Sequence, residues 1–214
     1  MKSYSIPIAT CLLSAILLIS IMGDAKENGD IIQKTNQLNV PPSKPNDKKM
    51  NNDTLDMFIK RSFDVSPALL WEAWSTEEMV KQWWGPKGFS CPVAKMAFKE
   101  GGTSLVCMRA PKEYGGQDMY NTWSYGKIVP MDRIEYVLNF TDKDGNKLDP
   151  AAIGMPPGIP KNVPHVITFK DLGNGKTEVT VMEHGYTSAQ VVELSRSGMN
   201  ECLDKMAEAL AKRK

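Results

Sequence analysis

The C-terminal segment of this chain constrains its fold most strongly, because it has the pattern of one long amphipathic helix after a series of strand-like segments. From 188 to 214, apolar side chains recur every three or four positions, which is typical of a helix that packs along its length on an apolar surface. The apolar positions are Met199, Cys202, Leu203, Met206 and Leu210, and the opposite positions are Glu201, Asp204, Lys205 and Glu208. We expect Gly198 to kink this helix and to separate a shorter piece over 189–195.

The segments before this helix alternate apolar and polar residues, as strands do, and turn residues separate them. The predicted strands are 55–63, 90–99, 103–109, 118–129, 133–141, 163–170 and 176–184. Short turns between neighbours predict sequential hairpins and therefore an antiparallel sheet. The connection from 142 to 164 is long and rich in Pro and Gly, and loops of such length are often functional. A curved sheet closed by the last helix around an apolar hollow, an α+β architecture, would explain this layout.

Two short helices are predicted between the first two strands. Ser66 is an N-cap followed by a proline at the first helical position, and Thr76 is the N-cap of the second helix, which ends at 85–86. The tryptophans of this stretch are Trp71, Trp74, Trp83 and Trp84. We expect them to pack in the core, and the alternatives are an aromatic cage or a surface that docks another protein.

The N-terminal part of the chain differs from the rest. Residues 1–25 combine a short cationic start, an apolar run and small residues near the end, which is typical of a secretory signal peptide. A retained membrane anchor is the alternative, because the uncharged stretch is long enough to cross a bilayer. The polar residues of 26–53 predict a disordered linker, and the folded domain is predicted at 54–214. We therefore expect an exported protein, periplasmic or secreted, or one tethered to a membrane through this segment alone.

Charge and motifs argue against several classes of function. The formal net charge of +1 argues against nucleic acid as a partner, because phosphate binding needs clustered Lys and Arg. The sequence has no glycine-rich nucleotide motif, zinc-protease motif or serine-hydrolase motif, so we expect no cofactor and no metal site. Cys91, Cys107 and Cys202 are widely spaced and odd in number, which favours buried free thiols over a disulfide framework.

Several sequence features together resemble one known family. They are the strand and two short helices that end at 83–86, the glycine pair at 101–102, the turn at 130–134 and the closing helix at 198–199. This order is similar to the activator of heat-shock-protein-90 ATPase homologue family of the START and birch-pollen-allergen-like (SRPBCC) superfamily, over 54–214. The resemblance implies a helix-grip fold, in which a curved antiparallel sheet wraps around the last helix and leaves a binding hollow. The superfamily includes carriers, cyclases, oxygenase domains and cochaperones, so the resemblance is more specific for fold than for function.

Candidate ligand contacts follow from the direction in which strand and helix residues point. Alternate residues of a strand share one face, so the apolar face of each strand predicts which residues meet the hollow. The candidates are Trp84, Met96, Phe98, Trp123, Tyr125, Tyr136, Leu138, His165, Phe169, Met199, Leu203 and Met206. Plain core packing is the alternative interpretation for every one of them.

His165 and Glu183 are the weak candidates for catalysis. Both share strand parity with apolar neighbours, so both are expected to point inward. If the hairpin pairs Phe169 with Thr177, His165 lies diagonal to Glu183 and within reach of it. Such a pair suits general acid–base catalysis, but a buried structural hydrogen bond is favoured. His184 has the opposite parity and is expected to be exposed.

Three functions remain open from the sequence. The leading one is non-enzymatic binding of a small hydrophobic or amphipathic ligand between sheet and C-terminal helix, in a hollow of about 300 Å³ or more. The first alternative is a cochaperone-like protein-interaction module that stimulates a chaperone ATPase. The second alternative is an enzyme of cyclase, dehydratase or hydrolase type that uses His165 and Glu183.

Overall fold

A computed structural model of the protein describes residues 54–213. The predicted signal peptide or anchor at 1–25 and the predicted linker at 26–53 lie outside these residues. Among the helices of 54–213, none is long and apolar enough to cross a membrane.

One sheet of seven strands forms the body of the domain, and every neighbouring pair is antiparallel. The strands are β1 (Leu55–Phe63), β2 (Ser90–Lys95), β3 (Thr103–Arg109), β4 (Asp118–Val129), β5 (Arg133–Thr141), β6 (Val163–Gly173) and β7 (Lys176–Tyr186). Their order in the sheet is β1-β7-β6-β5-β4-β3-β2, so β2 to β7 follow one another as hairpins and β1 returns to pair with β7. The helices are α1 (Pro67–Ser75), α2 (Glu77–Trp83) and α3 (Ala189–Ala211), with a short 3-10 helix at Lys112–Tyr114. The prediction of an α+β helix-grip fold is confirmed.

The two short helices begin at the predicted caps. The Ser66 hydroxyl accepts a hydrogen bond from the Leu69 N–H at 3.4 Å, and Pro67 occupies the first helical position. The Thr76 hydroxyl accepts from the Met79 N–H at 3.4 Å, so Thr76 both ends α1 and begins α2. Each cap satisfies a backbone donor that has no partner within the helix.

Helix α3 lies along the concave side of the sheet and runs for 23 residues without interruption. The predicted separation of a shorter piece over 189–195 is therefore wrong, since one helix continues through Gly198. The predicted apolar stripe is confirmed, because Met199, Cys202, Leu203, Met206 and Leu210 are all buried. The Lys205 ammonium donates to the carbonyls of Gly85 (2.7 Å) and Phe89 (2.9 Å) after α2. These bonds hold α3 against the end of α2, and burial lowers the pKa of Lys205.

Aromatic side chains fill one half of the space between sheet and helices. Trp83 is fully buried and its indole N–H donates to the Ala73 carbonyl at 2.6 Å. The Trp84 ring meets Trp123 edge-on with centroids 4.7 Å apart, and Trp123 stacks on Tyr136 at 5.1 Å. The prediction that the tryptophans of α1 and α2 pack in the core is confirmed. Trp74, Trp83 and Trp84 are buried, and Trp71 is partly buried against the core.

Strand β2 ends earlier than predicted. It stops at Lys95, so Met96 and Phe98 belong to the following turn rather than to a strand. The Ala97 N–H donates to the Ser104 hydroxyl at 3.0 Å, so a side chain takes the place of the backbone carbonyl that a strand residue would use. The close return of the chain at Gly102 also requires a residue without a side chain, since a Cβ there would lie 2.1 Å from the Ala97 carbonyl oxygen.

Candidate functional site

A cavity of about 210 Å³ lies between α3, the concave face of the sheet and the loop that joins β5 to β6. It is partly enclosed, and its wall is overwhelmingly apolar. It lies below the volume of about 300 Å³ at the lower end of the usual range for ligand pockets. The strands contribute Met108, Met119, Asn121, Leu138 and Phe140 to the wall, and the helix contributes Val191, Leu194, Ser195, Gly198 and Met199.

The long loop between β5 and β6 closes one side of the cavity. Met155, Pro156 and Ile159 of this loop belong to the wall. The loop is fixed to the start of α3, because the Thr187 N–H donates to the Gly158 carbonyl at 3.0 Å. The length of this loop marked it as unusual in the sequence, but no pattern within it identified the residues that face the cavity.

Replacing Gly158 with Ala should lower the free energy of unfolding by about 2–3 kcal/mol. Gly158 has φ +108°, which disfavours any side chain, and an added Cβ would lie 2.7 Å from the Cβ of Ser188. A matched control is Gly175→Ala, where φ is +70° but the Cβ meets open space, and a loss of about 1 kcal/mol is expected. Urea denaturation of both variants measures the difference. Equal losses in the two variants would mean that the closeness of Ser188 adds nothing to the cost of a side chain at Gly158.

The polar end of the cavity is built around the Glu183 carboxylate, which is buried. One carboxylate oxygen, Oε1, lies 3.1 Å from the His165 Nε2. The other, Oε2, accepts hydrogen bonds from the Ser195 hydroxyl at 2.6 Å and from the Tyr186 hydroxyl. Strands β6 and β7 and helix α3 thus contribute to one network.

The pairing of β6 with β7 corrects the predicted register. His165 pairs directly with Glu183 and Phe169 pairs with Val179, so the predicted pairing of Phe169 with Thr177 is wrong by two residues. The hairpin closes more tightly than expected, since Gly173 pairs with Lys176 after a bulge. Strand parity was predicted correctly, and a shift by an even number of residues keeps the same side chains on the inward face. His165 and Glu183 are therefore brought into direct contact rather than a diagonal one.

The electrostatic balance at Glu183 favours the ionised carboxylate. Burial alone would raise its pKa, but the charge of His165 and the hydrogen bonds from His165, Ser195 and Tyr186 outweigh burial and lower the pKa. The His165 Nδ1 lies 2.8 Å from the Val163 carbonyl, and because a carbonyl only accepts, Nδ1 donates there. Burial, the largest effect, together with the Glu183 charge raises the pKa of Tyr186, which therefore stays a neutral donor.

This network occupies the hydrogen-bonding atoms of both catalytic candidates. Both Glu183 oxygens and both His165 ring nitrogens have protein partners, and the His165 ring stacks on Tyr136 with centroids 4.5 Å apart. Such an arrangement holds both side chains in fixed positions at the end of the cavity. His184, on the opposite face, pairs with Asp56 at 3.0 Å and its side chain is 34% exposed.

The structure brings only some of the predicted ligand contacts to the cavity. Trp84, Leu138, His165 and Met199 belong to its wall. The other candidates pack elsewhere in or against the core, and they are Met96, Phe98, Trp123, Tyr125, Tyr136, Phe169, Leu203 and Met206. Aromatic rings pack against one another in that half of the concave face, among them Trp71 with Phe169 and Trp84 with Trp123.

Several wall residues escaped the sequence analysis. Asn121 has the same inward parity as Trp123 on β4, and this was the available signal. It was not selected because the candidates were taken from apolar and aromatic residues of the strands. Tyr186 lies at the end of β7, where strand parity no longer identifies the inward side chain. Ser195 shares the helical face of Met199 and Cys202, which was the available signal.

The three cysteines within residues 54–213, Cys91, Cys107 and Cys202, are free and buried, as predicted. Cys202 contributes to the cavity wall, and burial raises the pKa of its thiol to about 12. Burial likewise raises the pKa of Cys107 to about 11 and raises that of Cys91. Thiols with such pKa values carry almost no thiolate at neutral pH and are poor nucleophiles. Residues 54–213 contain no group of three or more His, Cys, Asp or Glu side chains arranged to hold a metal ion.

Comparison with known proteins identifies the family. The family model described as "Activator of Hsp90 ATPase homolog 1-like protein" matches residues 64–211. The chain belongs to this family. Functionally curated proteins give no significant match to this member of the Activator of Hsp90 ATPase homolog 1-like family.

Solved structures share the fold of this Activator of Hsp90 ATPase homolog 1-like protein. A protein of Chromobacterium violaceum is 22% identical, with TM-score 0.59, over 75% of this chain and 98% of that chain. The AHSA1 protein of Silicibacter pomeroyi is 18% identical, with TM-score 0.60, over 75% of this chain and 100% of that one. A protein of Staphylococcus epidermidis is 22% identical, with TM-score 0.60, over 78% and 94% respectively. At these identities the likeness establishes the fold alone.

Proposed function

We propose that this protein binds a small hydrophobic or amphipathic ligand in the cavity under α3, without catalysis. The observation that carries the proposal is an apolar cavity of about 210 Å³ whose few polar wall residues include the group around Glu183. Apolar clefts with a few convergent polar groups are the usual form of small-molecule sites. The fold supports the proposal, because the superfamily to which it belongs includes carriers.

The size of the cavity limits the ligand. An apolar protein cavity of about 150 Å³ binds benzene, so the volume of about 210 Å³ suits one ring with a few substituents. A long acyl chain or a polycyclic molecule would require the β5–β6 loop to move away from α3. The proposal therefore concerns small ligands.

The hydrogen bonds at the polar end of the cavity support a structural role for Glu183 and His165. Their polar atoms are directed at Ser195, Tyr186, Val163 and one another. Their expected role is to fix the junction of β7 and α3 that forms one end of the cavity.

Native mass spectrometry of the purified full-length protein tests the proposal. We expect a population heavier than the bare chain by the mass of one small organic molecule, which solvent extraction releases for identification. Thermal denaturation with added small aromatic probes is the parallel measurement, because a ligand that binds only the folded state raises Tm. A bare mass in every preparation, together with no shift in Tm from any probe, would contradict the proposal.

A further inference from the structure

Ser195 is the most accessible of the polar side chains in the cavity wall. It is partly exposed and lies on the stripe of α3 that borders the cavity through Gly198 and Cys202. The other polar residues of the wall are only 1% to 4% exposed, and they are Asn121, His165, Glu183 and Tyr186. Gly198 follows Ser195 by one helical turn, and a Cβ built at this glycine meets no atom within 4 Å. Open space therefore lies next to the Ser195 side chain on the cavity side of the helix.

The hydrogen bonds of Ser195 leave it one role toward a ligand, that of an acceptor. Its single hydroxyl hydrogen is donated to Glu183 Oε2 at 2.6 Å, and bonds to a carboxylate are stronger than those between neutral groups. The Ser195 oxygen has two lone pairs, and the Tyr186 hydroxyl at 2.9 Å fills at most one of them with its single hydrogen. One lone pair remains for a donor that a ligand supplies.

The charges at the polar end favour a neutral ligand. The Glu183 carboxylate is already paired with the His165 ring, which lies 3.1 Å away. A ligand with a carboxylate would place a second negative charge beside Glu183 and would offer no hydrogen to Ser195. An ammonium group would offer hydrogens, but the residues of the wall include no unpaired carboxylate to balance its charge. Burial of an unpaired charge is strongly unfavourable.

The apolar part of the wall suits a ring. Met108 and Met119 are direct neighbours across β3 and β4, and Met155 and Met199 border the same cavity from the β5–β6 loop and from α3. Thioether side chains adapt their shape and make favourable contacts with aromatic rings. One benzene ring with small substituents fits the volume of about 210 Å³.

We propose that the ligand carries a neutral hydrogen-bond donor, an O–H or N–H group on a small apolar body, and that Ser195 Oγ accepts its hydrogen. The inference rests on the proposed function and adds to it the chemical class of the ligand and the residue that selects it. The Glu183 carboxylate holds the Ser195 hydroxyl in the orientation that accepts. An ether has an oxygen without a hydrogen and therefore gains nothing from Ser195.

Calorimetric titration of the full-length protein with a matched series of probes tests this inference. In this series p-cresol and p-toluidine carry a neutral donor, p-methylanisole carries an oxygen without a hydrogen, and p-xylene carries no polar group. We expect the two donors to bind about threefold to tenfold more tightly than p-xylene, which is the effect of one ordinary hydrogen bond. The ether should bind no better than p-xylene. The charged probes p-toluate and p-methylbenzylammonium should bind more weakly than p-xylene.

Two variants test the role of Ser195 itself. Ser195→Ala removes the acceptor oxygen, so p-cresol should bind no better than p-xylene, while p-xylene still binds. Ser195→Thr keeps the hydroxyl, so the advantage of p-cresol over p-xylene should remain. The ratio of the two affinities is compared within each variant, because a general change in the cavity affects both probes alike.

The outcomes separate this inference from the proposed function. Equal affinity for p-cresol, p-toluidine and p-xylene in the unaltered protein overturns the assignment of a donor and leaves ligand binding intact, and this comparison needs no variant. An advantage of p-cresol that persists in Ser195→Ala overturns the role of Ser195. Failure of every probe to bind, p-xylene included, contradicts the proposed function itself.

Discussion

Glu183→Gln should lower the free energy of unfolding by about 3–5 kcal/mol, because it breaks the buried hydrogen-bond network at the polar end of the cavity. The substitution keeps the shape of the side chain but removes the charge that faces His165 at 3.1 Å. His165 is 2% exposed and cannot recover solvation from water. An amide also offers a single acceptor oxygen, so the carboxylate contacts with His165, Ser195 and Tyr186 cannot all be kept. Urea denaturation near neutral pH measures the loss.

The matched control for this substitution is Glu77→Gln on α2. Glu77 pairs with Lys81 at 2.5 Å, but the two side chains are 54% and 40% exposed. Exposed helical pairs of this kind contribute about 0.3–0.5 kcal/mol, so the control should lose no more than that. A loss at Glu183→Gln as small as that of the control would show that the buried pair does not stabilise the fold.

The buried pair of Glu183 and His165 makes the stability of the fold depend on pH. The pKa of Glu183 is lower in the folded protein than its ordinary value of 4.5. The carboxylate therefore contributes stability that is fully present above that ordinary value and is lost as pH falls through the folded value. We expect the difference in unfolding free energy between the unaltered protein and Glu183→Gln to shrink as pH falls from about 7 to about 3. A difference that stays constant across this range would contradict the lowered pKa.

Gly198→Phe abolishes ligand binding, lowering affinity by more than about a hundredfold. Gly198 lies in the wall of the cavity, and a Cβ added there meets no atom within 4 Å. A phenyl group at this position occupies the space that the ligand needs, while the helix itself accepts a side chain better than it accepts glycine. The fold should therefore survive while the site is filled, and titration with p-xylene or p-cresol measures the loss of binding.

Gly198→Ala is the control for this cavity-filling variant. It also replaces the glycine but adds only a methyl group, which leaves most of the cavity open, so binding is expected to persist. The free energy of unfolding should rise by up to about 1 kcal/mol, because alanine is the better helix former. If Gly198→Phe binds the probes as tightly as Gly198→Ala does, the ligand site lies elsewhere.

Much of the fold was predictable because its signals are local. The caps at Ser66 and Thr76 and the short hairpin turns are encoded within a few residues, and the structure confirms the elements that they begin or end. The register of β6 on β7 was not predictable, because it depends on the conformation of the turn and on the bulge before Gly173. Gly198 was misinterpreted for a related reason. Its role depends on the open space beside it, and sequence periodicity carries no information about empty space.

The site was harder to predict than the fold, because inward-facing residues do not all face the same space. Tyr125 and Leu138 both point to the concave side, yet one packs in the aromatic core and the other borders the cavity. The choice depends on which half of the sheet α1 and α2 cover, a relation between distant segments. The β5–β6 loop was recognisable as unusual, but only the structure shows that Met155 and Ile159 close the cavity.

Xenon binding in crystals of the protein tests the central claim most directly, because xenon enters apolar cavities without requiring any specific polar contact. The account predicts xenon density between α3 and the sheet, beside Phe140, Met155 and Met199, and the loss of this density in Gly198→Phe. Side chains that fill this space, or xenon bound only at other positions, would contradict the claim that the protein holds a small ligand there.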